Sequence, residues 1–227
     1  MPICKGISLP LNPEEVIKRF KGGRGERAKA LAFEVLEESR ALIDPGVAWE
    51  EYPVMGLKDG EAFLEGGWTL RLLVQPPSRG KVERVVALAG TIGDKIEQWV
   101  SRLFKGGEAL KATIADLVGS LYVEVLMDRA CECMSRYALG YGLRSSHLFS
   151  PGMPGMPLEE QPKLVEMAKG ARVGIHTTEK GMMVPEKSFC GVIILGEDVP
   201  SWDRHVFCKR CALRDSCPFR SEIIHGL

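Results

Sequence analysis

An α+β fold is the prediction from three stretches of this sequence. Between Val47 and Leu73, short strand-like pieces are broken by Asp59-Gly60 and Gly66-Gly67, the pattern of hairpins on a small antiparallel sheet. Val82 to Ala89 is almost continuously apolar and β-branched, which marks a buried central strand. Leu110, Ile114, Leu117, Leu121 and Val125 then recur at helical spacing toward Met134 and predict a long helix whose apolar face walls the core.

The remaining elements follow in chain order. Asn12, with Pro13, Glu14 and Glu15 behind it, starts a short helix: an amide cap, a proline in the first turn and acids at the positive end of the dipole. That helix ends near Gly22-Gly23. From Glu26 to Ile43 the apolar residues fall largely on one face, and Asp44-Pro45-Gly46 stops the second helix. Thr91-Ile92-Gly93-Asp94 turns the central strand into a helix reaching about Phe104, and Gly106-Gly107 separates it from the long one. Past Tyr137 the chain is rich in Gly and Pro up to Pro157. A helix from Leu158 to about Lys169 comes next, then Val173 to Ile175, and Phe189 to Leu195 reads as a second buried strand. Met182 and Met183 are expected to fill the core.

Composition narrows the functional classes. Of 227 residues, 45% are hydrophobic and 26% charged, ordinary globular values that exclude a disordered chain. Thirty Lys and Arg balance 30 Asp and Glu, so no global field attracts nucleic acid or an anionic membrane. The start Met1-Pro2-Ile3-Cys4-Lys5 is no basic-then-apolar leader, and no run of about 18 apolar residues occurs, so a soluble cytoplasmic protein is expected.

Seven cysteines are an odd number, and three of them, Cys208, Cys211 and Cys217, crowd into the end of the chain. In a reducing compartment such clustering favours metal ligation over disulfides. Cys190, at the start of the last strand, is the fourth candidate, with His205 after it. Zinc and iron–sulfur both suit this spacing. Four thiolates without histidine, beside a pocket loop, favour a four-iron (4Fe-4S) cluster, with zinc as the alternative. Cys131 and Cys133 sit two apart on the long helix, point to different sides and are not expected to chelate one metal together.

The loop Ser150-Pro151-Gly152-Met153-Pro154-Gly155 can bring backbone amides close to a ligand, because glycines remove the side chains that would hold it away. It can equally be a rigid connection. Glu179 can bind a ligand's amine or stand as a solvated carboxylate. His147 and His176 have no partner histidine at helical ligand spacing. The chain has no Walker loop, nucleophile elbow or dinucleotide fingerprint.

Three ordered motifs resemble the activation domain of cobalamin-dependent methionine synthase. They are Phe149-Ser150-Pro151-Gly152-Met153, Pro157-Leu158-Glu159-Glu160-Gln161, and the run from Thr178 through Glu179-Lys180-Gly181 to Ser188-Phe189-Cys190-Gly191. Upstream, Ala87 to Gly93 and the long helix are similar to the stand-alone versions of that domain. The resemblance spans about Val82 to Leu195.

It implies an α+β fold on a twisted antiparallel sheet flanked by helices, with a shallow groove for S-adenosylmethionine. The domain docks over a corrinoid whose cobalt has been oxidised to Co(II), and with one electron supplied it remethylates the metal. Carried over by motif, Ser150, Gly152 and Met153 lie along the ligand with Gly155 in the same loop, and Glu179 and Ser188 lie near the groove. Leu148 stands where the family commonly has an arginine for the ligand's carboxylate, and Met153 where it has a tyrosine. Hydrogen bonds to charged groups are each worth about 1.5 to 3 kcal/mol, so these departures weaken the case for S-adenosylmethionine. An apolar groove without that arginine suits a flat macrocycle.

The resulting division is an N-terminal helical and hairpin lobe over 1–80, an activation-domain-like core over 81–200, and a cysteine-rich metal-binding tail over 201–227 packed on the core. The leading reading is a corrinoid-binding or corrinoid-activating iron–sulfur protein that supplies an electron, and with S-adenosylmethionine a methyl group, to cobalt. Cobalamin held by a corrinoid protein or a cobalamin-dependent methyltransferase is then the partner. One rival is an S-adenosylmethionine-binding domain with a structural zinc; another is a non-catalytic adaptor that caps a corrinoid protein.

Overall fold

Asn12 caps the first helix as its side chain requires: Oδ1 accepts the Glu15 amide at 2.8 Å, and α1 runs Pro13–Arg19. The structure, a computed structural model, describes residues 3–20, 25–72, 82–153, 156–197, 199 and 215. Around α1 come β1 (Ile3–Lys5), α2 (Glu26–Ser39), β2 (Gly46–Lys58), β3 (Glu61–Leu64) and β4 (Thr69–Arg71). Then follow β5 (Val82–Thr91), α3 (Lys95–Lys105), α4 (Ala109–Gly140), β6 (Arg144–Ser145), α5 (Gln161–Met167), β7 (His176–Thr177), β8 (Met183–Val184) and β9 (Ser188–Gly196).

Among the described residues, seven strands form one twisted antiparallel sheet in the order β4-β3-β2-β5-β9-β6, with β1 on the free side of β2. The small hairpin β7–β8 stands apart. As expected, the chain after Val47 forms antiparallel hairpin strands broken at Asp59-Gly60 and Gly66-Gly67; the first, β2, pairs with β5 over Gly46–Pro53 and, beyond an irregularity at Val54/Gly56, with β3. Asp59 and Gly60 both take positive φ, the geometry of a tight two-residue hairpin turn. Eight paired positions thus join the first 80 residues to the strand that follows them.

Alternation along the strands divides the interior in two. Val47, Val86, Leu88, Phe189, Ile193 and Leu195 face α1–α4, where Leu121, Tyr122 and Leu126 supply the apolar wall. Ala48 in the same strands' alternate register is buried too, and Tyr52, Val85, Ala87, Cys190, Val192 and Ile194 face α5, with Leu164 and Met167 over them. α4 continues past the expected end near Met134 to Gly140, since Ala138 is buried and carries the periodicity on. The helix expected over Leu158–Lys169 opens as a 3-10 turn at Leu158–Glu160 before α5, and Val173 closes another such turn (Gly170–Val173). Met182 is not core: it is 60% exposed at the hairpin tip, while Met183 packs against the α5-side core. No helix among the described residues is long and apolar enough to cross a membrane.

Candidate ligand groove

Ser150-Pro151-Gly152-Met153 is a β-turn dictated by its residues. Pro151 presets φ at the second position, Gly152 takes φ +84 at the third, and the Met153 amide donates to the Ser150 carbonyl at 3.0 Å. The Gly152 amide donates to the Met156 carbonyl at 3.0 Å, and Met156 is buried. The Ser150 amide lies 3.3 Å from Met153 Sδ. Ser150, Gly152 and Met153, expected along one ligand, therefore share one turn.

That turn is anchored to β9. Phe149 and Val192 exchange both backbone hydrogen bonds, at 2.8 and 2.9 Å. One step earlier, Ser146 Oγ accepts the Ile194 amide at 2.9 Å while its own amide donates to the Ile194 carbonyl at 2.8 Å. The crossing is possible because residue 191 is glycine: a Cβ there would lie 2.5 Å from the Phe149 carbonyl oxygen and 2.9 Å from Leu148. Leu148 itself is 2% exposed and belongs to the α4-side core, so the position matched to the family's arginine points inward. His147 packs on Phe149 with ring centroids 3.8 Å apart, and burial drives its imidazole pKa down to about 4.

The β7–β8 hairpin stands at the start of α5. Its turn closes through Thr178 and Met182, with the Gly181 amide on the Thr178 carbonyl at 2.8 Å, and Glu179 is exposed within it. Gln161 Nε2 grips the Gly181 carbonyl at 2.7 Å and ties the hairpin to the start of α5. Leu158, just before α5, is the nearest side chain to the Gly152 α-carbon face. Leu158 and Met182 are apolar side chains open to solvent, 58% and 60% exposed. Gln161 lies inside the motif Pro157–Gln161, yet nothing in its spacing foretold its bond to a residue twenty positions on.

Ser188 opens β9, and its Oγ is buried with no hydrogen-bond partner among the described residues. Lys187 is held between elements: Nζ meets Asp116 at 2.6 Å and Ser120 at 2.9 Å, and its amide donates to Glu97 at 2.8 Å. Burial raises the Glu97 pKa above the ordinary carboxylate value.

Cys190 sits two residues past Ser188 on the same face of β9, 2% exposed among apolar neighbours of the α5 side, and desolvation pushes its thiol up to about 12. Val199, also 2% exposed, joins that same core. Gly155, His205, Cys208, Cys211 and Cys217 lie outside the described residues. Among the described residues no three potential ligands gather as a metal would require. Cys131 is buried and Cys133 half-buried on α4.

No family model matches the sequence, and no curated protein matches it. Known structures do match. A crystal structure of the MetH reactivation domain bound to AdoHcy superposes with a TM-score of 0.63 at 12% identity, covering 92% of this chain and 83% of that one. The fold is that of the MetH reactivation domain. At 92% of the chain the likeness extends beyond the stretch from Val82 to Leu195 that carries the motifs. In the MetH reactivation domain, as here, a mixed helix-and-strand chain is built on a curled antiparallel sheet.

Proposed function

We propose that this chain activates a corrinoid, acting on the cobalt of a cobalamin-dependent methyltransferase or another corrinoid protein. The observation that carries this reading is the fold shared over 92% of the chain with a reactivation domain that holds AdoHcy. The anchored Ser150–Met153 turn, lying in the motif that suggested the family, supports it. The corrinoid is the substrate: Co(II) takes one electron to become Co(I), and Co(I) takes the methyl cation of S-adenosylmethionine, leaving methyl-Co(III) and S-adenosylhomocysteine.

The chain's own residues then have separable tasks. The Ser150–Met153 turn and its loop line the ligand, and the otherwise unsatisfied Ser188 hydroxyl offers a hydrogen bond. Glu179, exposed on the hairpin, meets a cationic amine. Leu158 and Met182 give the macrocycle an apolar edge to rest on. Leu148, turned into the core, supplies no charge for a carboxylate, so adenosylmethionine binding is weak.

We assign the electron to an iron–sulfur cluster on Cys190, Cys208, Cys211 and Cys217. The chemistry of the donors supports it: four thiolates suit a soft centre. A thiol raised by burial stays protonated until a metal displaces its proton. Bound there, a cluster would supply electrons of low potential; zinc on the same residues would be structural only.

The test is purification without oxygen, metal analysis, and titration with cob(II)alamin and S-adenosylmethionine under a reductant. Iron with broad visible absorbance, together with a changed cobalamin spectrum, is expected. Stoichiometric zinc with tight adenosylmethionine binding would replace the electron-supplying reading by a methyl-donor domain with structural zinc. An unchanged corrinoid spectrum in the presence of both would sink corrinoid activation.

A further inference from the structure

Away from the groove, on the α4 side of the sheet, lies a cavity of about 180 Å3. Its walls are Val47, Trp49 and Leu88 from β2 and β5 and Ala130 and Met134 from α4, with Ile7 at one end. Val47, Leu88, Ala130 and Met134 are each less than 10% exposed, so the interior is apolar. The space exists because Ala130 carries a methyl where neighbouring turns of α4 carry Leu126 and Met134. The Trp49 ring is set edge-on against Tyr137 with centroids 5.0 Å apart.

The opening is charged. Arg129, Glu132 and Arg136 stand along it on successive turns of α4. Arg129 and Glu132 neutralise one another through a 3.0 Å ion pair. Arg136 has no ion pair among the described residues, so the opening keeps one uncompensated positive charge above an apolar hollow.

We propose that this cavity is a second binding site, for a small amphiphilic anion whose carboxylate meets Arg136 and whose apolar part fills the space beside Trp49. An apolar cavity of about 150 Å3 stays dry and takes up benzene, so a chain or ring of about six to eight carbons is the size class. A carboxylate at the rim keeps its hydration on one side and gains the guanidinium on the other. The two sources of this chemistry, a short fatty acid and an aryl acid, differ only in the shape of the apolar part.

The full chain is titrated with octanoate, phenylacetate, octanol and octylamine, reading Trp fluorescence and side-chain NMR shifts of Met134 and Ala130. Saturable binding of at least one acid, at least tenfold tighter than octylamine, is expected; which acid wins identifies the shape of the apolar part. Ala130→Leu, which fills the cavity, should abolish it. Arg136→Gln should weaken the acid about tenfold and leave octanol unchanged. Should Ala130→Leu fold poorly, Cys133→Leu fills the cavity from its rim and reads the same loss. Acid binding that survives the filled cavity overturns the proposal, as does equal affinity for the amine or no saturable binding to the intact protein. Concentration-dependent pairing of the protein that Ala130→Leu abolishes, without acid binding, also overturns it, since a second copy would then be the occupant.

Discussion

On one face of the sheet, α4 lays 32 residues of continuous helix against β5 and β9, with α1–α3 packed beside it. On the other face, α5 offers seven residues, and 3-10 turns and a two-stranded hairpin supply the rest. The thick face is held by extensive apolar burial, with ion pairs such as Lys187–Asp116 at its margin. The thin face has its own apolar core and adds side chains that reach distant backbone: Tyr52 to the Met167 carbonyl at 2.9 Å, Lys163 to Thr69 at 2.8 Å, and Gln161 to Gly181 at 2.7 Å. Such bonds fix position at small net gain, about 1 kcal/mol each. The contrast places the stable scaffold on one side of the sheet and the candidate groove at the margin of the other, where local opening is cheapest.

Substitutions sharpen that contrast. Leu126→Ala, a cavity in the thick face, should cost about 3 to 4 kcal/mol and lower the whole unfolding transition in urea. A cost below about 1 kcal/mol would show that the α4 side is loosely packed. Gly191→Ala, which sets a methyl against the Phe149 carbonyl, should cost about 2 to 3 kcal/mol. Its NMR signature should be loss of the Phe149–Val192 amide protection while α4 amides stay protected.

Acid should act on the loop through His147. Burial holds the imidazole neutral in the fold, so its contribution is complete above the ordinary value of 6.5 and is lost as pH falls from there toward about 4. Discounted for partial exposure, the loss is on the order of 2 kcal/mol. His147→Gln should flatten that limb of the stability profile, and an unchanged limb would remove the histidine from the account. The smallest effect is expected from Gln161→Ala, about 1 kcal/mol. Hydrogen exchange should quicken in the β7–β8 hairpin and nowhere on α4; a global loss instead would erase the distinction between the faces.

The order of elements could be read from residues. Asn12-Pro13, the helical spacing from Leu110, the β-branched run before Ala89 and the Ser150–Met153 turn each carry their reason within a few positions. The same local logic misjudged Met182, because whether an apolar residue at a hairpin tip is covered depends on what packs over it. The breaks at Asp59-Gly60 and Gly66-Gly67 were legible in the same way, while pairing with β5 on one edge and β3 on the other carries β2 through Pro53 and Gly56.

The sequence by itself therefore determined the periodic elements, the turn chemistry of the groove loop and the set of sulfur ligands to be considered. Tertiary structure alone decided that Leu148 faces the core, that Gly191 admits the loop across β9, that Gln161 holds the hairpin, and that Ala130 leaves a hollow beside Trp49. The physical reason is range. Capping, turn geometry and amphipathic spacing act within a few residues, while burial and the partners of a hydrogen bond are set by chain segments that meet only after folding.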